Sequence, residues 1–210
     1  MRRAGGLAAG LGLLGLAAAS AAAHSLEELE DALQTREAYL EVVNRPAPDF
    51  TLQDAQGRAV GLAEFRGKVV VLNFIYATCP DFCPLHSERI AEIQEMVNST
   101  PMREIVRFVS ITTDPGRDTP EALKAYGPAH GLDPVNWTFL TSGPGRPAAT
   151  RDLAERYGLK FTRIKEDYLL HAVVTHLIDK SGNLRARYHG LKFDPTNFIV
   201  HLNALTNDDH

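Results

Sequence analysis

Residues 68 to 76 read Lys-Val-Val-Val-Leu-Asn-Phe-Ile-Tyr, a nearly continuous β-branched and aromatic run. That pattern predicts a central strand covered on both faces. A second buried-type run, Arg107 to Thr112, and a shorter one, Trp137 to Leu140, predict further strands. Helical periods lie between them. Ile90, Ile93 and Val97 share one stripe of a helix from Pro84 to Val97, and Pro84 suits its first turn. Pro120 to Tyr126 starts a second helix, and Ala148 to Tyr157 makes a third. Upstream, Phe50-Thr51-Leu52 and Ala59-Val60-Gly61-Leu62 flank Asp54-Ala55-Gln56-Gly57 as a small hairpin. Downstream, Val173 to Ile178 and Leu184 to Tyr188 flank a turn over 179–183, and a last helix covers Pro195 to Leu205. Ahead of all these, Leu26, Leu29, Leu33, Leu40 and Val43 keep three-and-four spacing, interrupted by Arg36. They predict an amphipathic helix from Ser25 to Val43, outside the main core. Asn44 to Pro48 ends it, since neither proline continues a helical ladder.

The order is hairpin, β-α-β-α, β-α, then β-β-α. Parallel βαβ units closed by an antiparallel hairpin and a helix give an α/β domain of three layers. The expected architecture is thioredoxin-like: a central mixed sheet with flanking helices and an added N-terminal hairpin. The 210 residues, 44% of them hydrophobic, suffice for one domain with a sizeable core and exclude wholesale disorder. A net charge of −4 argues against nucleic acid as a partner. The first 23 residues stand apart. Arg2 and Arg3 precede an uncharged Ala/Gly/Leu run, and Ala21-Ala22-Ala23 offers a small-residue cleavage pattern before His24. Without them the chain has 20 Lys and Arg against 26 Asp and Glu, a net charge of −6. Residues 1–23 are read as a signal peptide in preference to a retained N-terminal membrane anchor. They match the ~20 residues that span a bilayer, but Ala and Gly make a weak span. Under either reading the folded part leaves the cytoplasm, for the periplasm or the outer face of the inner membrane. Membrane contact is then confined to the N-terminal segment. Residues 24–47 follow as helical arm and linker, and 48–206 as the thioredoxin-like domain.

Both cysteines lie in Thr78-Cys79-Pro80-Asp81-Phe82-Cys83-Pro84, between the central strand and its helix. Open α/β sheets place their ligand chemistry there, beyond the carboxyl ends of the strands. In a regular helix residues four apart have side-chain roots ~5–6 Å apart, too far for a disulfide. Pro84 is therefore expected to push Cys83 out of helical geometry, in a loop that turns the two sulfurs toward each other. Cys83 would sit beside the helix N-terminus, where positive partial charge lowers a thiol pKa. Thiolate both attacks disulfides and binds soft metals. The bland alternative is an inert short-loop disulfide, but closing so small a loop stabilises little.

The motif Phe74-x-Tyr76-x-Thr78-Cys79-Pro80-Asp81-x-Cys83-Pro84 resembles the signature of the Sco/SenC family, copper-handling proteins of cytochrome c oxidase assembly. Thr113-Asp114-Pro115-x-Arg117-Asp118-Thr119-Pro120 is similar to the family's second block. The likeness runs from about Pro48 to Leu205, and the paired blocks are far more specific than the cysteine spacing alone. It implies a thioredoxin-like fold and a copper site made by Cys79, Cys83 and a distant histidine. Counting back from the turn at Asp179 puts that histidine at His171. The family commonly has Asp just before it; here Leu170 stands there, and Asp167 is the nearby substitute for orienting the imidazole.

Other histidines have plainer readings. His176, within an apolar strand, reads as a hydrogen-bonded core residue, and His86 as a first-turn surface residue rather than a ligand. His24, His130, His189, His201 and His210 carry no mark of function, and Met96 and Met102 read as core or loop. Asp114, Arg117 and Asp118 read as a polar network whose aspartates cap turns and the next helix.

Three functions compete. The first is a copper-binding assembly factor, since two thiolates and an imidazole suit Cu(I) and also hold Cu(II). The resemblance implies delivery to, or preparation of, the binuclear copper centre of oxidase subunit II. It further implies a copper donor protein and a dithiol reductant as partners. The second is a thiol–disulfide oxidoreductase using Cys79 and Cys83 as a redox pair. Its three-residue spacer, where thioredoxins have two, favours metal over general reduction. The third, a peroxidase, lacks the Thr three residues ahead of the reactive Cys. The balance leans away from a dedicated enzyme.

Overall fold

Helix α1 (Leu26–Arg36) opens on a capping box: the Ser25 hydroxyl accepts from the Glu28 N–H, and the Glu28 carboxylate accepts from the Ser25 N–H. The computed structural model describes residues 25–79, 82–165 and 168–208. The leader expected over residues 1–23, and His24, His210 and Asp167, lie outside them. The helix expected to reach Val43 stops at Arg36, and Leu40–Pro46 form strand β1 instead. Glu37 makes the change of course: one carboxylate oxygen accepts from the Tyr39 N–H and the other from the Asp194 N–H. Nor is this segment an arm outside the core, since Leu33 and Leu40 are both buried in it.

The hairpin pairs β2 (Thr51–Gln53) with β3 (Ala59–Gly61). A 3-10 turn (Leu62–Phe65) leads to the central strand β4 (Val69–Ile75), every residue of which is buried. Its side chains alternate: Val69, Val71 and Ile75 enter one hydrophobic cluster, Val70, Leu72 and Phe74 the other. Helix α2 (Phe82–Asn98), β5 (Val106–Thr112), α3 (Pro120–Ala129), β6 (Trp137–Leu140) and α4 (Ala149–Arg156) continue the winding. A hairpin that sequence reading left unassigned, β7 (Phe161–Lys165) with β8 (Tyr168–His171), comes next. Strands β9 (Val174–Ile178) and β10 (Asn183–His189) and helix α5 (Pro195–Asn207) complete the chain.

The main sheet has the order β1-β10-β9-β4-β5-β6. Strands β4, β5 and β6 run parallel, while β9, β10 and β1 are antiparallel. One face carries residues of α1, α2, α3 and α5, and the other carries α4 and the β2–β3 hairpin. This is the expected three-layer mixed sheet. Among the described residues no helix is long and apolar enough to cross a membrane.

Three histidines, His86, His176 and His201, are sealed inside these layers. His176 lies between the Leu72 and Tyr157 carbonyls, 3.3 Å from each, and His86 Nε2 lies 2.8 Å from the Thr175 hydroxyl. His176 is the core residue expected. His86 is not the surface residue expected, because it sits on the face of α2 turned to the sheet and is 1% exposed. Burial pushes the His86 and His176 imidazoles down to about 3. As pH drops below about 6.5 the unfolded chain takes up protons that these folded histidines refuse, so stability falls with pH. Each should cost on the order of 2–3 kcal/mol by about pH 4.5. Thermal melts from neutral pH down to that point should show a steady loss; a flat melting temperature would contradict this burial argument.

Candidate functional site

Strand β4 ends at Ile75, and the chain then turns, with the Cys79 N–H donating to the Tyr76 carbonyl at 3.2 Å. Asp118 anchors the turn from below. Its Oδ2 accepts from the Ala77 N–H at 2.9 Å and from the Thr112 hydroxyl, and its other oxygen is buried without a partner. Burial holds this carboxyl above the usual range. Asp118 is thus a tether for the cysteine turn and not the helix cap expected of it. The cap of α3 is Thr119, whose hydroxyl accepts from the Ala122 N–H. Asp114 does stabilise its own turn, pairing with Arg117.

Helix α2 begins at Phe82, so Cys83 stands within its first turn and not before it. Pro84 breaks no hydrogen bond there, because first-turn N–H groups have no intrahelical acceptor. The two cysteines are not disulfide-bonded; Cys79 is half-buried and Cys83 is 6% exposed. The hydrogen bond it shares with Cys79, and then burial, push the Cys83 thiol up. This reverses the lowering expected from the helix N-terminus: a neighbouring sulfur and a dry environment outweigh a partial charge.

His171 ends β8, three residues before β9 begins. Because β9 runs antiparallel to β4, with Thr175 opposite Asn73, its start lies at the sheet end where β4 finishes. The topology therefore carries His171 to the cysteine end of the sheet. His176, five residues on, lies inside that strand and faces away. The His171 ring packs edge-on against Phe161, centroids 5.4 Å apart, and its Nδ1 lies 2.9 Å from the Ala172 carbonyl. A carbonyl can only accept, so Nδ1 carries the proton. Nε2 then has a bare lone pair, and it is buried without a hydrogen-bond partner. Burial pushes the His171 pKa down, which keeps the imidazole neutral; the Ala172 carbonyl and the nearby Cys79 work the other way. Among the described residues, no three His, Cys, Asp or Glu side chains close to metal-holding distance. The structure joins the two cysteines and sets His171 within electrostatic reach of Cys79, without completing a triad.

The family description SCO1/SenC matches residues 41–207, which include both sequence blocks, the cysteine turn and His171. The chain belongs to the SCO1/SenC family. A SCO1 protein homolog of Bacillus subtilis is 26% identical over 75% of this chain and 81% of its own length. The fold superposes on BsSco, described as a disulfide-switch member of the Sco family of cytochrome c oxidase assembly proteins. The TM-score is 0.69 at 23% identity, covering 80% of this chain and 98% of that one. A Bradyrhizobium japonicum ScoI, solved with copper bound, gives a TM-score of 0.61 at 26% identity over 76% of this chain and 99% of its own.

Sequence reasoning missed the hairpin that carries His171, though its signals are present. Phe161, Thr162 and Ile164 are strand-favouring residue types, and Glu166-Asp167 separates them from Tyr168-Leu169-Leu170. The tethering role of Asp118 had no sequence signal, because it depends on Ala77, 41 positions away.

Proposed function

We propose that the protein is an exported copper-binding assembly factor. It would carry copper on Cys79, Cys83 and His171 to the binuclear copper centre of cytochrome c oxidase subunit II, or prepare that centre. The observation that supports this most is the His171 imidazole, neutral by burial, with its Nδ1 proton engaged and its Nε2 lone pair idle. That is the tautomer a metal ligand needs. Two thiols complete a soft donor set, suited to Cu(I) and able to hold Cu(II). Copper is cargo in this reading, held by the two thiolates and the imidazole. Family membership and the copper-bound Bradyrhizobium relative support copper, and the oxidase as destination rests on the two family sequence blocks. The leader read in residues 1–23 supports export. A copper donor and a dithiol reductant are the further partners the cycle needs.

The two neighbouring thiols, hydrogen-bonded to each other, also favour a second reading, a thiol–disulfide oxidoreductase acting on the oxidase subunit or other exported proteins. Both roles need both cysteines; only copper carriage needs His171. His171→Ala should keep disulfide cycling on a small model substrate and fail to load copper into the apo-subunit. Full loading by that variant at limiting copper would replace the first reading with the second.

A further inference from the structure

Five large hydrophobic side chains are conspicuously exposed among the described residues, and three of them are solitary: Tyr39 before β1, Val135 before β6 and Val200 on α5. The other two, Phe82 and Leu85, are 45% and 50% exposed and stand three residues apart in the first turn of α2. Residues at that spacing share a helix face. They bracket Cys83. Half-exposed Pro84 lies between them, and the residues that follow His171, exposed Ala172 and half-exposed Val173, are apolar as well. No described residue of that first helical turn is charged; the one charge in the motif, Asp81, is outside the described residues. Single exposed hydrophobics need no explanation, but an adjoining pair beside reactive thiols does.

We infer that this apolar rim is the surface on which the copper-accepting protein docks, and that the acceptor presents a matching apolar surface around its own thiol ligands. The inference rests on the copper-carrier reading. Cu(I) held by thiolates passes to another protein by ligand exchange at unchanged oxidation state. Acceptor thiolates form Cu–S bonds as the bonds to Cys79, Cys83 and His171 break, and the released thiolates take up the protons the acceptor thiols gave up. The donor atoms of both proteins must enter one coordination sphere, so the acceptor has to cover whatever immediately surrounds Cys79 and Cys83. Among the described residues that surround includes Phe82 and Leu85, and docking there buries them from water.

The test loads the wild-type protein, the Phe82→Ser/Leu85→Ser double variant and a Val200→Ser control with one equivalent of Cu(I). It then follows transfer to the reduced apo copper-binding domain of the cognate oxidase subunit II, and separately to a small-molecule Cu(I) chelator. Both side chains are half exposed, so the double variant should fold and bind copper as wild type does. Its transfer to the protein acceptor should slow roughly tenfold or more while transfer to the chelator stays unchanged. Val200→Ser should match wild type in both. Equal transfer rates for wild type and double variant would overturn the docking inference and leave the carrier reading standing. A wild-type protein that takes up no copper would overturn both.

Discussion

Cys79→Ser and Cys83→Ser are each expected to weaken copper binding by more than about 100-fold. That figure is the upper end of the loss when only an outer-shell partner of a metal site is removed, and here a ligand is lost. The two variants should differ in one respect. Cys83 is buried and holds its proton against the pull of solvent, whereas Cys79 is half-buried and within reach of the His171 ring. Cys79 is therefore the more accessible thiol, and alkylation at neutral pH should label it ahead of Cys83 in the reduced protein. Competition titration against a Cu(I) chelator gives the affinities, and mass spectrometry of partly alkylated protein gives the order. Copper affinity within a few-fold of wild type in either serine variant would remove that cysteine from the ligand set.

Arg185→Met is expected to cost about 3–5 kcal/mol of folding stability, because it strands a buried carboxylate. Arg185 on β10 grips Glu30 of α1 with two nitrogens, at 3.2 and 2.7 Å. His201 of α5 completes the cluster, its Nε2 3.1 Å from Glu30 and its Nδ1 3.0 Å from the Tyr188 hydroxyl. Glu30 is 2% exposed; burial works against its charge, but His201 and Arg185 hold its carboxyl below the usual range. Glu30→Leu combined with Arg185→Met removes both charges and should recover much of the loss, since an apolar filling needs no desolvation. Urea unfolding of the single and double variants checks this. A cost under about 1 kcal/mol for Arg185→Met would mean the cluster does not fasten α1 to the domain.

What the sequence made legible was local. The continuous apolar run of β4, the alternation of the two hairpins beside it and the cysteine motif at the strand's end could all be read residue by residue. Strand β1 could not. Leu26, Leu29, Leu33, Leu40 and Val43 keep helical spacing apart from the interruption at Arg36, where the helix in fact ends, and pairing with β10, roughly 140 positions away, makes the rest a strand. His201 looked unremarkable because its partner Glu30 is 171 positions distant. His86 was misplaced for a related reason: the stripe of Ile90, Ile93 and Val97 gave the buried face of α2 without fixing how far it extends toward the first turn. The direction of the Cys83 thiol was wrong because helix-end charge is a local argument, while burial and contact with Cys79 belong to the folded site. His171 was reached only by counting from a family turn; its hydrogen bond to Ala172 and idle Nε2 come from the fold.

Anaerobic copper titration of the reduced protein, followed by absorption and EPR, tests the central claim most directly. One equivalent should bind, and the Cu(II) form should carry intense thiolate-to-copper charge-transfer bands. His171→Ala should weaken or reshape those bands, and His176→Ala, which alters the core and not the site, should leave them as they are. Binding without thiolate bands, or the same bands in wild type and His171→Ala, would contradict a site built from Cys79, Cys83 and His171.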